Sequence, residues 1–320
     1  MLYLNEKDIE KIGVDWNKCT ETIKKAVFCL DTHNAVQPIK PYLRFKNPIN
    51  RIIAMPAYLG DGFDIAGIKW IASFPENIKR GIPRASSIEI LNDPDTGKII
   101  SVINASSLSI IRTASVSALM IKYFLEARNL EKITVGIIGW GPVGQYHAKM
   151  CQEMFGDKIS KMFLYDIKKI GSIDINSIKN TVIENSWKNV YTKSDILITC
   201  TVSADRYIDV KPKRGSLLLN VSLRDYKSHI FPFVKKSIVV DNWSEVCREG
   251  TDIELFHKLN GLEERDTKSI SDVVVREALK SYPKTGPIMF NPMGMAIFDI
   301  AIAKYFLEQA KKKKIGLILQ

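Results

Sequence analysis

From Asn17 to His33 the apolar residues Ile23, Ala26, Val27 and Leu30 recur at i, i+3, i+4 and i+7, the spacing of one buried helix face. Beyond that helix the period falls to two. Residues 41–46 (PYLRFK), 51–59 (RIIAMPAYL), 64–74 (DIAGIKWIASF), 86–92 (SSIEILN) and 98–104 (KIISVIN) alternate as strands between turn residues, and Asp93-Pro94-Asp95-Thr96-Gly97 joins the last two. Strands in succession with no helix between them predict an antiparallel or mixed sheet. A second helical pattern runs from Ser107 to Asn129.

At Lys132 the architecture changes. Apolar runs at Ile133–Ile138, Met162–Tyr165, Ile196–Thr199, Leu217–Val221 and Ile238–Val240 stand helix-length intervals apart, which predicts βαβ units on a parallel sheet. After Pro287–Asn291 a last helix is expected from Pro292, with Met295, Phe298, Ile302, Tyr305 and Phe306 as its apolar stripe, packing back on the first domain. The chain therefore reads as α/β: a Rossmann-type, doubly wound parallel-sheet domain over residues 116–289, and a discontinuous α+β domain over residues 1–115 and 290–320.

Composition removes several function classes. The 320 residues are 46% apolar and 25% charged, a globular balance rather than a fibrous or disordered one. The charge-free stretch Ile99–Ile111 falls well short of the ~18 apolar residues of a membrane span, so no membrane association is expected. MLYLNEKDIE lacks the basic flank and apolar run of a secretory signal, which makes the cytoplasm the expected location. Cys19, Cys29, Cys151, Cys200 and Cys247 are odd in number, far apart and without a C-x-x-C pair, so neither a disulfide framework nor a metal site is expected. A net charge of +11 raises nucleic acid as a partner, but the densest basic run, Lys311–Lys314, ends an apolar helix, where cations complement the helix dipole. Nucleic acid is not expected; a small anionic ligand is a better use for buried positive charge.

The segment VGIIGWGPVGQYHAK places Gly139, Gly141 and Gly144 in G-x-G-x-x-G spacing between an apolar strand and a helix, with Pro142 and Val143 inside the same turn. Gly139 permits the tight turn, Gly141 lets backbone N–H groups approach a pyrophosphate at the helix N-terminus, and Gly144 lets the helix sit close to the sheet. Asp166 ends the next strand, where it would accept hydrogen bonds from a ribose and repel a 2'-phosphate. NAD is expected rather than NADP, with Lys168 and Lys169 weakening the discrimination. DILITCTVS places Thr201, Val202 and Ser203 at the carboxyl edge where the cofactor crosses.

A nicotinamide only moves hydride, so the protein must orient the substrate and manage protons. Arg44, Lys69, Arg84 and Arg112 are cations in apolar or small-residue settings (PYLRF, AGIKWI, PRASS, SIIRTAS). Lys69 alternates onto a strand face with Ile65, Gly67 and Ile71, and a buried ammonium must be paired or lose its proton. It reads as a carboxylate-binding or proton-shuttling amine, or else as a solvated surface lysine. Arg112, assisted by Thr113, is placed to hold a carboxylate or touch the pyrophosphate. Asp225, just past LLLNVS, lies at the edge where parallel sheets carry active-site groups.

With these residues assembled, the chain resembles the ornithine cyclodeaminase/mu-crystallin family over nearly its whole length, through RIIAMPAYLG, AGIKWIAS, ILNDPDTG, SIIRTASVSALM, GIIGWGPVG and NPMGMAIFDIAIA. The resemblance implies a homodimer formed through the first domains, which also bind substrate, a Rossmann domain holding NAD, and an active site between the two. By its motifs Arg44, Lys69 and Arg112 correspond to substrate-carboxylate and proton-handling residues, and Arg84 is a further candidate for holding a substrate carboxylate. Asp225 corresponds to the catalytic aspartate and Thr113 to a cofactor contact; Ser222 and Met295 are further expected cofactor contacts. QPIKPYLR, the RAS of PRASS, TCTV and NPMGMAI bring it closest to the branch acting on N-(2-amino-2-carboxyethyl)-L-glutamate, which makes 2,3-diaminopropionate for siderophores and peptide antibiotics. Cyclodeaminase, alanine dehydrogenase and ketimine reductase activities stay open, as does a non-enzymatic crystallin-like ligand binder, against which Lys69 and Asp225 speak. Around Asp225 this chain reads SLRDYKSH, where ornithine cyclodeaminases carry glycines and a proline, so the pocket differs and ornithine is a poor fit.

Overall fold

The structure, a computed structural model, describes residues 1–171, 175 and 178–320. Its elements in chain order begin with β1 (Leu2–Asn5), α1 (Glu6–Ile12), α2 (Trp16–Asp31), β2 (Ala35–Val36), β3 (Tyr42–Leu43), β4 (Arg51–Leu59), β5 (Ile65–Ser73), β6 (Ala85–Asn92), β7 (Ile99–Asn104) and α3 (Ser106–Arg128). There follow β8 (Ile133–Ile138), α4 (Pro142–Phe155), β9 (Ile159–Tyr165), β10 (Thr181–Ile183), α5 (Trp187–Lys193), β11 (Ile196–Thr199), β12 (Leu217–Asn220) and α6 (Phe231–Val234). The chain ends with β13 (Ile238–Val240), α7 (Trp243–Val246), α8 (Asp252–Asn260), β14 (Thr267–Ser269), α9 (Ile270–Arg276), β15 (Ile288–Asn291), α10 (Ala296–Lys313) and β16 (Leu317–Ile318).

Contacts divide the chain into Met1–Ser115 with Gly294–Gln320, and Val116–Met293. The second boundary falls after residue 293 rather than 289, because β15 is hydrogen-bonded into the sheet of the second unit between β12 and β13.

In the first unit the sheet order is β16-β1-β7-β6-β5-β4-β2, with β3 on β4. β1 runs parallel to β7, while the β4–β7 pairs are antiparallel, a mixed sheet. The β6–β7 turn is closed by Asp93, whose Oδ1 accepts from Thr96 N at 2.9 Å. Of residues 41–46 only Tyr42 and Leu43 pair as strand; Pro41 has no N–H to give, and Lys46 at φ 55 turns the chain away. Helix α10 lies on β4, β5, β6 and α2. It buries Phe298, Ile302 and Phe306 completely, each contributing about 1.5–3 kcal/mol. It starts at Ala296 rather than at Pro292, because Gly294 takes φ +86, outside the helical region.

In the second unit the sheet order is β10-β9-β8-β11-β12-β15-β13-β14 and every named strand pair is parallel. The chain moves outward from β8 through β9 to β10, then returns to β11 on the other side, so the order reverses at β8/β11. That reversal point is where a doubly wound sheet opens to a ligand beyond its carboxyl ends. Both faces are covered, since every residue of β11, β12, β13 and β15 is buried; on one face Leu197, Leu218, Val240 and Met289 pack with Phe256, Ile230 and Tyr226 in one core. By length and composition α3 is apolar enough to cross a membrane, yet 72% of its most apolar window is buried.

Candidate active site

In the first unit, Lys69 sits at the middle of β5, opposite Met55 on β4 and Glu89 on β6. Strand alternation carries it inward, under α10, and it is 1% exposed. Its Nζ donates to Ser109 Oγ at 2.5 Å and to Asp299 Oδ1 at 3.0 Å. Arg112 Nε donates to the same oxygen at 2.7 Å. Asp299 lies in the first turn of α10, where the helix dipole favours an anion. Burial opposes its ionisation, but Arg112 and Lys69 together outweigh that and hold the carboxyl below its usual range. Burial in turn lowers the Lys69 ammonium, and Arg112 adds to the effect against the attraction of Asp299. A lysine that gives up its proton easily, beside a guanidinium whose Nη groups are not spent on Asp299, is equipped to move a proton and hold a carboxylate. Gly294 is required here: a Cβ on it would stand 2.6 Å from Arg112 Nη1.

Lys40 is buried as well and donates to Gly294 O at 2.7 Å, at the glycine that packs against Arg112. Arg44 is exposed, donates to Pro48 O at 2.6 Å and lies over the Tyr42 ring. Arg84 is half-buried at the entry to β6, its carbonyl accepting from Phe74 N at 2.8 Å. Thr113 returns its hydroxyl to Ser109 O at 2.8 Å, and Met295 is buried as the residue preceding α10.

In the second unit the glycine loop follows β8. Gly139 has φ +100, and a Cβ there would lie 2.6 Å from Cys200 O at the end of β11. A Cβ on Gly144 would overlap Gly139 O, whereas one on Gly141 meets nothing within 4 Å. The first and third glycines are thus fixed by packing and the second faces open space above the N-terminus of α4, which Pro142 opens. Such a cradle fits a pyrophosphate, with Val143 and Gly144 in the same turn. We expect Gly144→Ala to force loop and helix apart and to weaken NAD at least ~10-fold, the equivalent of the low end of the ~1–3 kcal/mol cost of overpacking; an unchanged dissociation constant in a fluorescence titration contradicts the role.

Asp166 accepts from Trp140 N at 2.6 Å and from Lys168 N at 2.8 Å, so it ties the glycine loop to the end of β9 while further lone pairs stay available to a ribose. After β11, Thr201 Oγ1 donates to Asp225 Oδ1 at 2.5 Å. Ser222 Oγ donates to Asp225 Oδ2. Val202 and Ser203 are exposed at the same strand end. Asp225 is 1% exposed, and burial raises its carboxyl despite the donated hydroxyls. Its backbone N–H and that of Tyr226 bond Asp252 Oδ2 at 3.0 and 3.1 Å, so a second buried aspartate sets the loop. Burial pushes Asp252 up to about 6.

Asp299, Glu89 and Ser109 were not singled out from the sequence. Asp299 carried a signal: it falls four residues after Met295 and three before Ile302, on the apolar stripe of the last helix. Glu89 alternates with Ser87 and Leu91, but nothing local marks it as the neighbour of Lys69, because only strand register sets that pair.

A family model described as the ornithine cyclodeaminase/mu-crystallin family matches residues 6–314. N-((2S)-2-amino-2-carboxyethyl)-L-glutamate dehydrogenase of Staphylococcus aureus is 34% identical over 335 residues, covering 100% of this chain and 98% of its own. Alanine dehydrogenase of Archaeoglobus fulgidus is 25% identical over 98% of this chain and 97% of its own. Among solved structures, Thermococcus litoralis Delta(1)-pyrroline-2-carboxylate reductase in complex with NADH and L-proline superposes with a TM-score of 0.86 at 23% identity, covering 100% of both chains.

Proposed function

The chain belongs to the ornithine cyclodeaminase/mu-crystallin family, and from that premise we propose that it is an NAD-dependent amino-acid oxidoreductase acting on N-(2-amino-2-carboxyethyl)-L-glutamate. Its products are 2-oxoglutarate and L-2,3-diaminopropionate. The observation that carries the reading is the buried Lys69–Asp299–Arg112 cluster, in a chain 34% identical over its full length to a dehydrogenase of that substrate. The substrate has three carboxylates and a secondary amine, which suits a chain with inward cations.

Bound NAD supplies the hydride acceptor. Gly139, Gly141, Pro142, Val143 and Gly144 would hold its pyrophosphate and Asp166 its ribose, and Thr201, Val202, Ser203 and Ser222 would line its path at the sheet edge. Lys69 takes the proton from the substrate ammonium, since an amine that remains protonated cannot release hydride from the adjoining carbon. Arg112, helped by Arg44 and Arg84, holds the carboxylates. Once the carbon is oxidised, water adds to the imine with Lys69 or Asp225 removing a proton, and the carbinolamine collapses to the two products. In total, amine, NAD and water give oxo acid, primary ammonium, NADH and one proton. Exposed Leu43, Phe45, Ile49, Ile78 and Ile82 of the first unit support a homodimer.

Asp166→Ala is expected to weaken NAD more than NADP; equal losses in parallel titrations contradict the ribose role. The second reading, an alanine dehydrogenase or a cyclodeaminase, draws on the 25% identical relative and predicts released ammonia instead of 2-oxoglutarate.

A further inference from the structure

Glu89 and Lys69 are directly opposed on β6 and β5, with side chains on the same face of the sheet. Glu89 is 1% exposed, and neither of its carboxyl oxygens accepts a hydrogen bond. The charged groups that face it are Lys69 from β5, Asp299 from α10, Arg112 from α3 and Glu6 from α1. Both cations direct their N–H groups to Asp299 Oδ1 instead. An ionised carboxylate buried without a donor is costly, while a neutral carboxyl group in the same place is far less so.

Charge balance within the cluster follows from that. With Asp299 ionised and Arg112 its permanent counter-charge, Lys69 and Glu89 are left to balance each other: either both are charged or both are neutral. We propose that Lys69 and Glu89 hold one proton between them, resting on Glu89, so that Lys69 stands as a free amine able to take a proton from an amino-acid substrate. This rests on the reading of Lys69 as the proton acceptor of an amine oxidation. When the substrate ammonium gives its proton to Lys69 Nζ, Glu89 loses its own to water and becomes the counter-charge of the new ammonium. The proton lost is the one that the overall oxidation releases. Glu89 touches no substrate in this scheme; it is a positioning residue that acts through Lys69. Burial, against the pull of Lys69, pushes the Glu89 carboxyl up to about 8, and burial lowers the Lys69 ammonium, as the neutral pair requires.

The direct test uses the whole protein without substrate, labelled with glutamate carrying carbon-13 in its side-chain carboxyl. One glutamate resonance is expected to titrate near pH 8 while ordinary glutamates finish by about pH 6; a full set of glutamates titrating below that overturns the proposal. In Glu89→Gln, NAD binding is retained, kcat falls by ~10-fold or more with KM little changed, and the change in kcat that the wild-type protein shows near pH 8 is lost, because the carboxyl that titrates there is gone. Glu89→Asp restores part of both. A Glu89→Gln profile identical to the wild-type profile overturns the proposal, and if that variant does not fold the titration of the wild-type protein decides. A high-titrating glutamate in a protein that oxidises no amino acid defeats the catalytic reading and leaves the proton pair standing; amine oxidation without such a glutamate defeats the pair alone.

Discussion

Lys69→Ala lowers turnover by ~10²-fold or more, the usual scale for losing a proton-transfer group, while NAD binds with unchanged affinity. The two effects separate because Lys69 belongs to the first unit and the glycine loop to the second. Lys69 is held by Ser109 Oγ and Asp299 Oδ1, so its amine has a fixed position, and burial makes it give up its proton more readily than a surface lysine does. Lys69→Arg is expected to be almost as inactive: it restores the charge, but a guanidinium does not release its proton. Stopped-flow absorbance of NADH gives the turnover and quenching of protein fluorescence gives the NAD affinity. Wild-type turnover in Lys69→Ala removes the residue from the mechanism.

Asp299→Ala destabilises the fold by about 3–5 kcal/mol, the cost of leaving buried charge without its partner. One carboxylate oxygen accepts from Lys69 and Arg112, which are 1% and 9% exposed in their side chains, so the aspartate is the counter-charge of Arg112 and, wherever Lys69 is protonated, of Lys69 as well. At acid pH, where Lys69 is protonated, the variant has one escape for it, deprotonation. Its folded-state pKa then lies further below the unfolded value, the unfolded state binds more protons, and stability rises with pH. The deficit relative to wild type is therefore greatest at acid pH and narrows as Lys69 loses its proton. Urea unfolding across pH measures both magnitude and slope, and a loss under ~1 kcal/mol at every pH contradicts the assignment.

Much of this architecture was legible along the chain because local periodicity carries it. The alternation in RIIAMPAYL and DIAGIKWIASF and the spaced apolar runs from Ile133 to Val240 gave β4, β5 and the parallel sheet. The glycine turn was equally local: its steric demands arise within one strand–turn–helix unit, apart from the contact of Gly139 with Cys200 O. What stayed hidden was long-range. β1 pairs with β7 across a separation that no periodicity reports, and Leu2–Asn5 is too short to announce itself. Lys69 was marked by its uncomfortable setting, but its counter-charge comes from a helix at the other end of the chain and its proton partner from strand register. Arg44 is the converse case: its apolar neighbours pointed to an inward cation, yet Leu43, Arg44 and Phe45 are all exposed in the single chain.

The most direct measurement mixes the purified protein with NAD and N-(2-amino-2-carboxyethyl)-L-glutamate and follows NADH absorbance together with the released oxo acid. NADH and 2-oxoglutarate appearing in equal amounts is the predicted result. No NADH, or NADH accompanied by ammonia in place of 2-oxoglutarate, contradicts it.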